Sequence, residues 1–485
     1  MTNQKKQNTV EKNESFSSIS AKSFLLVVAI LCGMLALSGA LSYFIPQGFF
    51  ERDDTGAIIN GSFQQGSIQG IAIWRIITAP IRVFFSDSAL NIILISVFLL
   101  IMSGVFNLIE KTQGVKIIIG RTVKRFSDKK QLVICVTAFV FMLFGSFFGM
   151  FEELVTLLPL VIVLMLSMGF DTLTGVGVCM LAACFGFSAA ITNPFSVGIA
   201  SGLAGTSVSH GAWLRIVFFA VVYIAVCAFL LLHARKITKN PELSPTYQLD
   251  IEKRKRLDLT ISSSLDKAQE DKIFRVYSIF FCAQIIFLIL IASIRAISGL
   301  AIPLLSVTFL VGGILAGCLI CENKKNVFKY FAQGATAMLP AVLMIALATS
   351  IKLVMDESCI MDTVMHAVIE FLKTKDKFVC VILIYFLILF LQLFIGSASA
   401  KLLLIMPIAL PVCSALGISP NVVILTYCIA DGFTDVILPT NPVLLIGLSM
   451  ANISYGKWVK WTWKLQLGVF IFTIFLLLFA VQIGY

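Results

Sequence analysis

Glu152, Glu153, Lys401, Asp431 and Asp435 are charged side chains at the turns and breaks of stretches otherwise apolar enough for a membrane. A charge in hydrocarbon is costly, so each is a candidate for holding an ion or a charged solute. Asp431 and Asp435 stand one turn apart on one helical face. Four acids against one lysine favour a cationic ligand, or one whose positive group accompanies a carboxylate. The competing reading is internal pairing, Lys401 with Asp431 or Asp435. Small polar residues surround these charges. Ser146, Gly149, Gly396, Ser397 and Ser399 fall in glycine- and serine-rich turns that let backbone groups approach a ligand. Thr192-Asn193-Pro194 and Thr440-Asn441-Pro442 add hydroxyls and amides beside a proline, which interrupts a helix.

The two Thr-Asn-Pro triplets are 248 residues apart, and Pro159/Pro407, Gly169/Gly417 and Asp128-Lys129/Asp376-Lys377 keep that offset without a gap. The chain therefore carries an internal repeat. Charge distinguishes the halves: Glu152 and Glu153 answer to Ala400 and Lys401, while Asp431 and Asp435 answer to Ala183 and Phe187. A helix break duplicated in two apolar halves points to a transporter with its site at mid-membrane.

Composition agrees. Of 485 residues 59% are hydrophobic and 13% charged, against roughly 25% charged in soluble domains. The 12 cysteines lie mostly in apolar runs without metal-ligand spacing, and His210, His233 and His366 are scattered. With no metal constellation and no nucleophile–base pair, an enzyme is not expected, nor a cofactor beyond sodium or protons as coupling ions. The formal charge of +11 is not spread as a nucleic-acid surface would be. Basic residues cluster at 111–130, 235–275, 324–329 and 457–464, whereas 45–87 and 356–377 are balanced or acidic. That alternation places the basic loops and the N-terminus in the cytoplasm.

The elements that must position the site follow. A polar tail (1–22) precedes helix 24–44, an external segment with an amphipathic stretch at 70–86, helix 88–108 and a basic interfacial helix at 114–126. Arms 131–145 and 154–168 are too short to cross, so they are expected to form a re-entrant hairpin with its tip buried in protein. A helix from 173, broken at 191–194, and helix 213–232 complete the first repeat, 23–233. A basic loop, 234–273, and an extra helix, 274–299, lead to the second repeat, 300–485: helix 337–356, interfacial stretch 361–373, hairpin 378–416, broken helix 420–450 and helix 464–483. One unpaired helix between them makes the second unit enter from the opposite side. The expected fold is an all-α polytopic membrane protein with two inverted repeats, each holding a re-entrant hairpin and a broken helix. Gly313 and Gly317 mark a packing seam, and Lys352 a snorkelling side chain.

Gly149-Met150-Phe151-Glu152-Glu153, Asn193-Pro194-Phe195 followed by 198–205, Gly396-Ser397-Ala398-Ser399-Ala400-Lys401, Asp431-Gly432-Phe433-Thr434 and Leu438-Pro439-Thr440-Asn441 together resemble the YfcC-type branch of the anaerobic C4-dicarboxylate carrier family. The resemblance covers about 22–485. It implies the ion transporter superfamily: homodimers with a scaffold and a moving part built from two hairpins and two broken helices. It also implies that Ser146, Gly149, Glu152, Glu153, Thr192, Asn193, Gly396, Ser397, Ser399, Lys401, Asp431, Asp435, Thr440 and Asn441 bind substrate or ions. This branch is associated with exchange of arginine- and ornithine-like amino acids, which the acid surplus would suit. Sodium- or proton-coupled carriage of C4-dicarboxylates or other small carboxylates is the alternative. Phe151 is bulkier than the glycine expected within the first tip.

The charge pattern makes one prediction. The 233–275 loop holds ten lysines and arginines and is cytoplasmic, so a cysteine at Ser262 resists a membrane-impermeant maleimide in intact cells; rapid labelling would overturn the topology.

Overall fold

The structure is a computed structural model that describes residues 21–51, 59, 61–86, 89–115, 117–118, 121, 126, 129–155, 157–261, 266–293, 301–372 and 374–485. The tail at 1–20 and most of the basic stretch at 114–126 lie outside them. Among the described residues the fold is almost wholly helical, with one two-residue antiparallel pair, β1 (Gly48–Phe49) and β2 (Gln64–Gln65). Among the described residues six helical stretches are long and apolar enough to cross a membrane, and one of them, Lys130–Phe148, is the first hairpin arm, expected to be too short and lengthened here by its π-helical turn.

After α1 (Ala21–Leu41), the short helix α2 (Ile73–Arg82) exposes Ile73, Ile77 and Ile81 at four-residue spacing, an apolar stripe suited to a lipid boundary. α3 (Ala89–Lys111) then leads to α4 (Lys130–Leu143), which closes in a wide π-helical turn, Phe144–Phe148. α5 (Glu152–Val155) and α6 (Leu158–Ser167) return from that turn. α7 (Thr172–Ser188) stops at the first Asn-Pro, where α8 restarts over 194–203. α9 (Ala212–Lys239), α10 (Tyr247–Ile261), α11 (Lys267–Ser293) and α12 (Ala301–Ile320) follow. Next come α13 (Lys324–Ala337), α14 (Leu339–Glu357), α15 (Met361–Leu372), α16 (Lys377–Leu391) and α17 (Ala398–Ala415). α18 (Pro420–Thr434) stops at the second Asn-Pro, α19 (Pro442–Ala451) restarts, and α20 (Tyr455–Gln482) ends the fold. α19 lies 248 residues beyond α8 at both ends.

Packing is reciprocal. α3 lies against α12 and α13, while α14 lies against α1 and α2; α7 crosses α18. α8 lies on α17 and α19 on α6, so each restarted helix rests on the other half's hairpin. Among lipid tails no hydrophobic driving force joins helices, and close fit must do it. Gly313 and Gly317 supply that fit, with Val105 and Leu108 of α3 directly over them.

Two segments expected as basic loops are ordered helices. Residues 324–329 open α13, whose buried Val327 and Gly334 face α3; Ser103 Oγ donates to Gly334 O (2.8 Å) and Asn107 Nδ2 to Tyr330 O (2.6 Å). Charges on one face had concealed the apolar face beneath. Within 234–273, α9 runs on to Lys239 and α10 packs against α6. Asp250 accepts from Thr172 N (3.2 Å) and Oγ1 (2.5 Å), and Lys253 Nζ donates to Ala451 O (2.8 Å). Asp171 caps α7 through Thr174 N (2.8 Å) and is held by Ser244 Oγ (2.7 Å) and His233 Nε2 (2.8 Å). Trp461 Nε1 donates to His233 Nδ1 (3.1 Å), which leaves Nε2 to carry the ring proton. The segment is a strap tying the start of α7 to the end of α19.

Lys253→Met removes a buried donor from that strap and strands Ala451 O, which costs about 1–3 kcal/mol. A fall of a few degrees in the apparent Tm of the detergent-solubilised protein is expected; an unchanged Tm would show the strap to be incidental.

Candidate functional site

The two helix breaks face their hairpins at the crossing of α7 and α18. Ser188 Oγ donates to Ile429 O (3.0 Å), and a Cβ on Gly432 would stand 2.3 Å from Ser188 N. Only glycine permits that approach.

On the first side, Ser146 is fully buried, its Oγ donating to Ala189 O (2.7 Å) and accepting from Ile191 N (3.2 Å). Thr192 Oγ1 donates to Phe147 O (3.0 Å). The hairpin tip is thus sewn to the break. Asn193 Oδ1 accepts from Phe195 N (2.9 Å) and so caps α8, with proline at the first position, where its missing N–H costs nothing. Gly149, at φ 69°, lies so near that a Cβ would come 2.2 Å from Asn193 Oδ1. Asn193 Nδ2 is buried and has no protein partner.

On the second side, Lys401 sits in the first turns of α17, 0% exposed, and pairs with the Asp431 carboxylate. Asp435 Oδ1 accepts from Gln392 Nε2 (2.7 Å) and Asn441 Nδ2 (2.8 Å). Asn441 Oδ1 caps α19 through Val443 N (2.9 Å) and Leu444 N (3.2 Å), and Thr440 Oγ1 reaches Gln392 O at 3.5 Å. The charges that act on Asp435 are those of Asp431 and Lys401, and both acids act on Cys184 of α7. Asp431 Oδ2 and Gln392 Oε1 are buried without a hydrogen-bond partner.

Ser146, Gly149, Thr192 and Asn193 therefore form one group, and Lys401, Asp431, Asp435, Thr440 and Asn441 another, across the crossing. Glu152, half-buried, opens α5, which packs against α19. The side chains of Glu153 and Ser399 lie outside the description. Three readings change. The amide oxygens of both asparagines serve as helix caps, and of their nitrogens that of Asn441 goes to Asp435 while that of Asn193 has no protein partner. Gly396 and Ser397, expected in an enclosed tip, are exposed, with nothing within 4 Å of a Cβ on Gly396; Ser397 caps α17 through Ala400 N (3.5 Å). Lys401 is not the sole buried cation near the breaks. Arg215, 2% exposed in the first turn of α9, donates to Val208 O, leaves Nε without a partner and acts on Cys428 of α18. A polar residue near a helix end reads as a snorkelling one, which hid Arg215. Gln392 was detectable as the lone amide in the apolar run 378–395.

The capping geometry separates two roles. Asn193→Ala is expected to cost about 1 kcal/mol of stability through the lost cap and to reduce transport strongly. Asn193→Ser restores the cap, and hence the Tm, without restoring transport, because the Nδ2 donor is still missing. Transport that recovers with the Tm would reduce Asn193 to a structural cap.

The family model described as "C4-dicarboxylate anaerobic carrier" (DcuC) matches residues 21–482. "Putative basic amino acid antiporter YfcC" of Escherichia coli (strain K12) is 26% identical over 385 residues, 76% of this chain and 73% of that protein. An uncharacterised protein of Haemophilus influenzae is 26% identical over 368 residues, 76% and 71% of the two chains. Among solved structures, the YdaH transporter of Alcanivorax borkumensis aligns with TM-score 0.40 and 17% identity over 95% of this chain and 98% of that one. MtrF of Neisseria gonorrhoeae aligns with TM-score 0.44 and 17% identity over 95% of each. The chain, a multi-pass membrane transporter, belongs to the C4-dicarboxylate anaerobic carrier family.

Proposed function

We propose that the protein exchanges basic amino acids, arginine- or ornithine-like, across the cell membrane by alternating access between two inverted repeats. One observation carries the substrate class: of the two buried carboxylates at the crossing, Asp431 is matched by Lys401, while Asp435 is held only by neutral amides. A buried carboxylate with no ion pair of its own selects for a cation. The ligand's side-chain cation answers Asp435. Its carboxylate answers Asn193 Nδ2, the buried donor without a partner, and the positive end of a restarted helix. The name of the Escherichia coli relative is in line with this reading. The basic loops support a cytoplasmic N-terminus, and the reciprocal seating of α8 on α17 and α19 on α6 supports a pseudo-symmetric pair that swaps arrangements.

Arg215 favours a second reading, a sodium- or proton-coupled carrier of C4-dicarboxylates. It would supply a buried guanidinium, facing Cys428 of α18, as an anion receptor in addition to Lys401, in line with the family's description. Asp435 would then bind the coupling ion.

Proteoliposomes loaded with ornithine separate the two. External radiolabelled arginine is expected to enter, with lysine and ornithine competing better than succinate or fumarate. At short range an anion meets repulsion on the order of several kcal/mol from an unmatched buried carboxylate. Robust succinate uptake, with arginine neither moving nor competing, would give the carboxylate reading.

A further inference from the structure

We propose that the charge balance of Lys401, Asp431 and Asp435 is what makes exchange obligatory, locking the carrier when empty and releasing it when a monocation is bound. This deepens, and rests on, the reading of the site as one for basic amino acids.

The three groups are 0%, 1% and 8% exposed and lie together at the crossing of the broken helices. Ionised, they sum to one negative charge. The pair Lys401–Asp431 is neutral by itself, so the surplus resides on Asp435, whose two donors are uncharged amides of Gln392 and Asn441. Nothing in the first half mirrors these acids, since Ala183 and Phe187 occupy the corresponding positions. Swapping the two half-arrangements must carry this set past low-dielectric surroundings. An uncompensated charge resists that passage; a neutral ensemble does not. An amino acid with a carboxylate, an ammonium and a side-chain cation brings one net positive charge and makes the ensemble neutral. A zwitterion or a dicarboxylate does not. Substrate selection and the ban on empty return thus share one cause, and Lys401 is a positioning residue that sets the surplus at one rather than two.

The test varies net charge separately from residue identity. Proteoliposomes preloaded with radiolabelled arginine are diluted into buffer with or without external arginine, and the ratio of the two efflux rates is measured. The unmodified protein should show a ratio of at least about tenfold, each factor of ten being one 1.4 kcal/mol step. Asp435→Asn and Asp431→Asn each bring the set to zero. Their ratios should collapse toward unity, because the empty set is then neutral and returns freely while the loaded one carries a surplus positive charge and exchanges more slowly. Lys401→Met combined with Asp431→Asn restores one surplus negative charge with two residues changed, and its ratio should return toward that of the unmodified protein. Arginine-induced thermal stabilisation, measured on the same preparations, reports binding independently.

An unmodified ratio in Asp431→Asn, or a double variant whose ratio stays as low as those of the single ones, would each overturn the proposal. If arginine binds and moves but the ratio does not follow net charge, only this inference falls. If arginine neither stabilises nor moves, the substrate reading falls and takes the inference with it.

Discussion

An unpaired peptide group in hydrocarbon costs several kcal/mol, and this chain interrupts its helices at mid-sequence in four places. Every interruption is closed by a different segment. The first break is closed by Ser146 and Phe147 of the first hairpin. Within the second break, Val436 O accepts from Trp458 Nε1 (2.7 Å) and Ile437 O from Tyr455 OH. Ala398 O, at the second tip, takes the hydroxyl of Tyr427 from α18. The need to satisfy irregular backbone thus forces hairpins and broken helices into one interlocked unit. The same need makes that unit polar enough to hold a solute.

Function follows from what the closure leaves over. Caps absorb Asn193 Oδ1 and Asn441 Oδ1, and Asn441 Nδ2 goes to Asp435. The remainder is a buried amide donor on one side of the crossing. On the other is a carboxylate cluster with one ammonium, its Asp431 Oδ2 and Gln392 Oε1 without partners. Donor and carboxylate on opposite sides of two crossing helices suit a ligand bearing both charges. Arg215 is the feature that keeps anionic ligands in contention.

Much of this was legible in the sequence. Proline after asparagine at both breaks, glycine at both tips and a constant offset of 248 residues located the interrupted helices to within a few positions, because helix breaking is a local property. The family followed from the same motifs. Less legible was whatever depends on partners distant in the chain. Spacing cannot decide whether Lys401 pairs with Asp431 or with Asp435, four residues further on. It cannot show Asp171 gathering His233, Ser244 and Thr174 into one network either. The strap helix α10 was hidden for a simpler reason. A charged segment reads as solvated, yet Asp250 and Lys253 are buried, each matched across the fold.

On the proposed reading a basic amino acid binds between the two broken helices, its cation at Asp435 and its carboxylate toward Asn193. An experimental structure of the protein with arginine bound tests this most directly. The account predicts guanidinium density within hydrogen-bonding distance of Asp435, with the carboxylate near Asn193 Nδ2 and the Lys401–Asp431 pair intact. Arginine density elsewhere in the molecule, or a dicarboxylate held by Lys401 or Arg215 in its place, would overturn that reading.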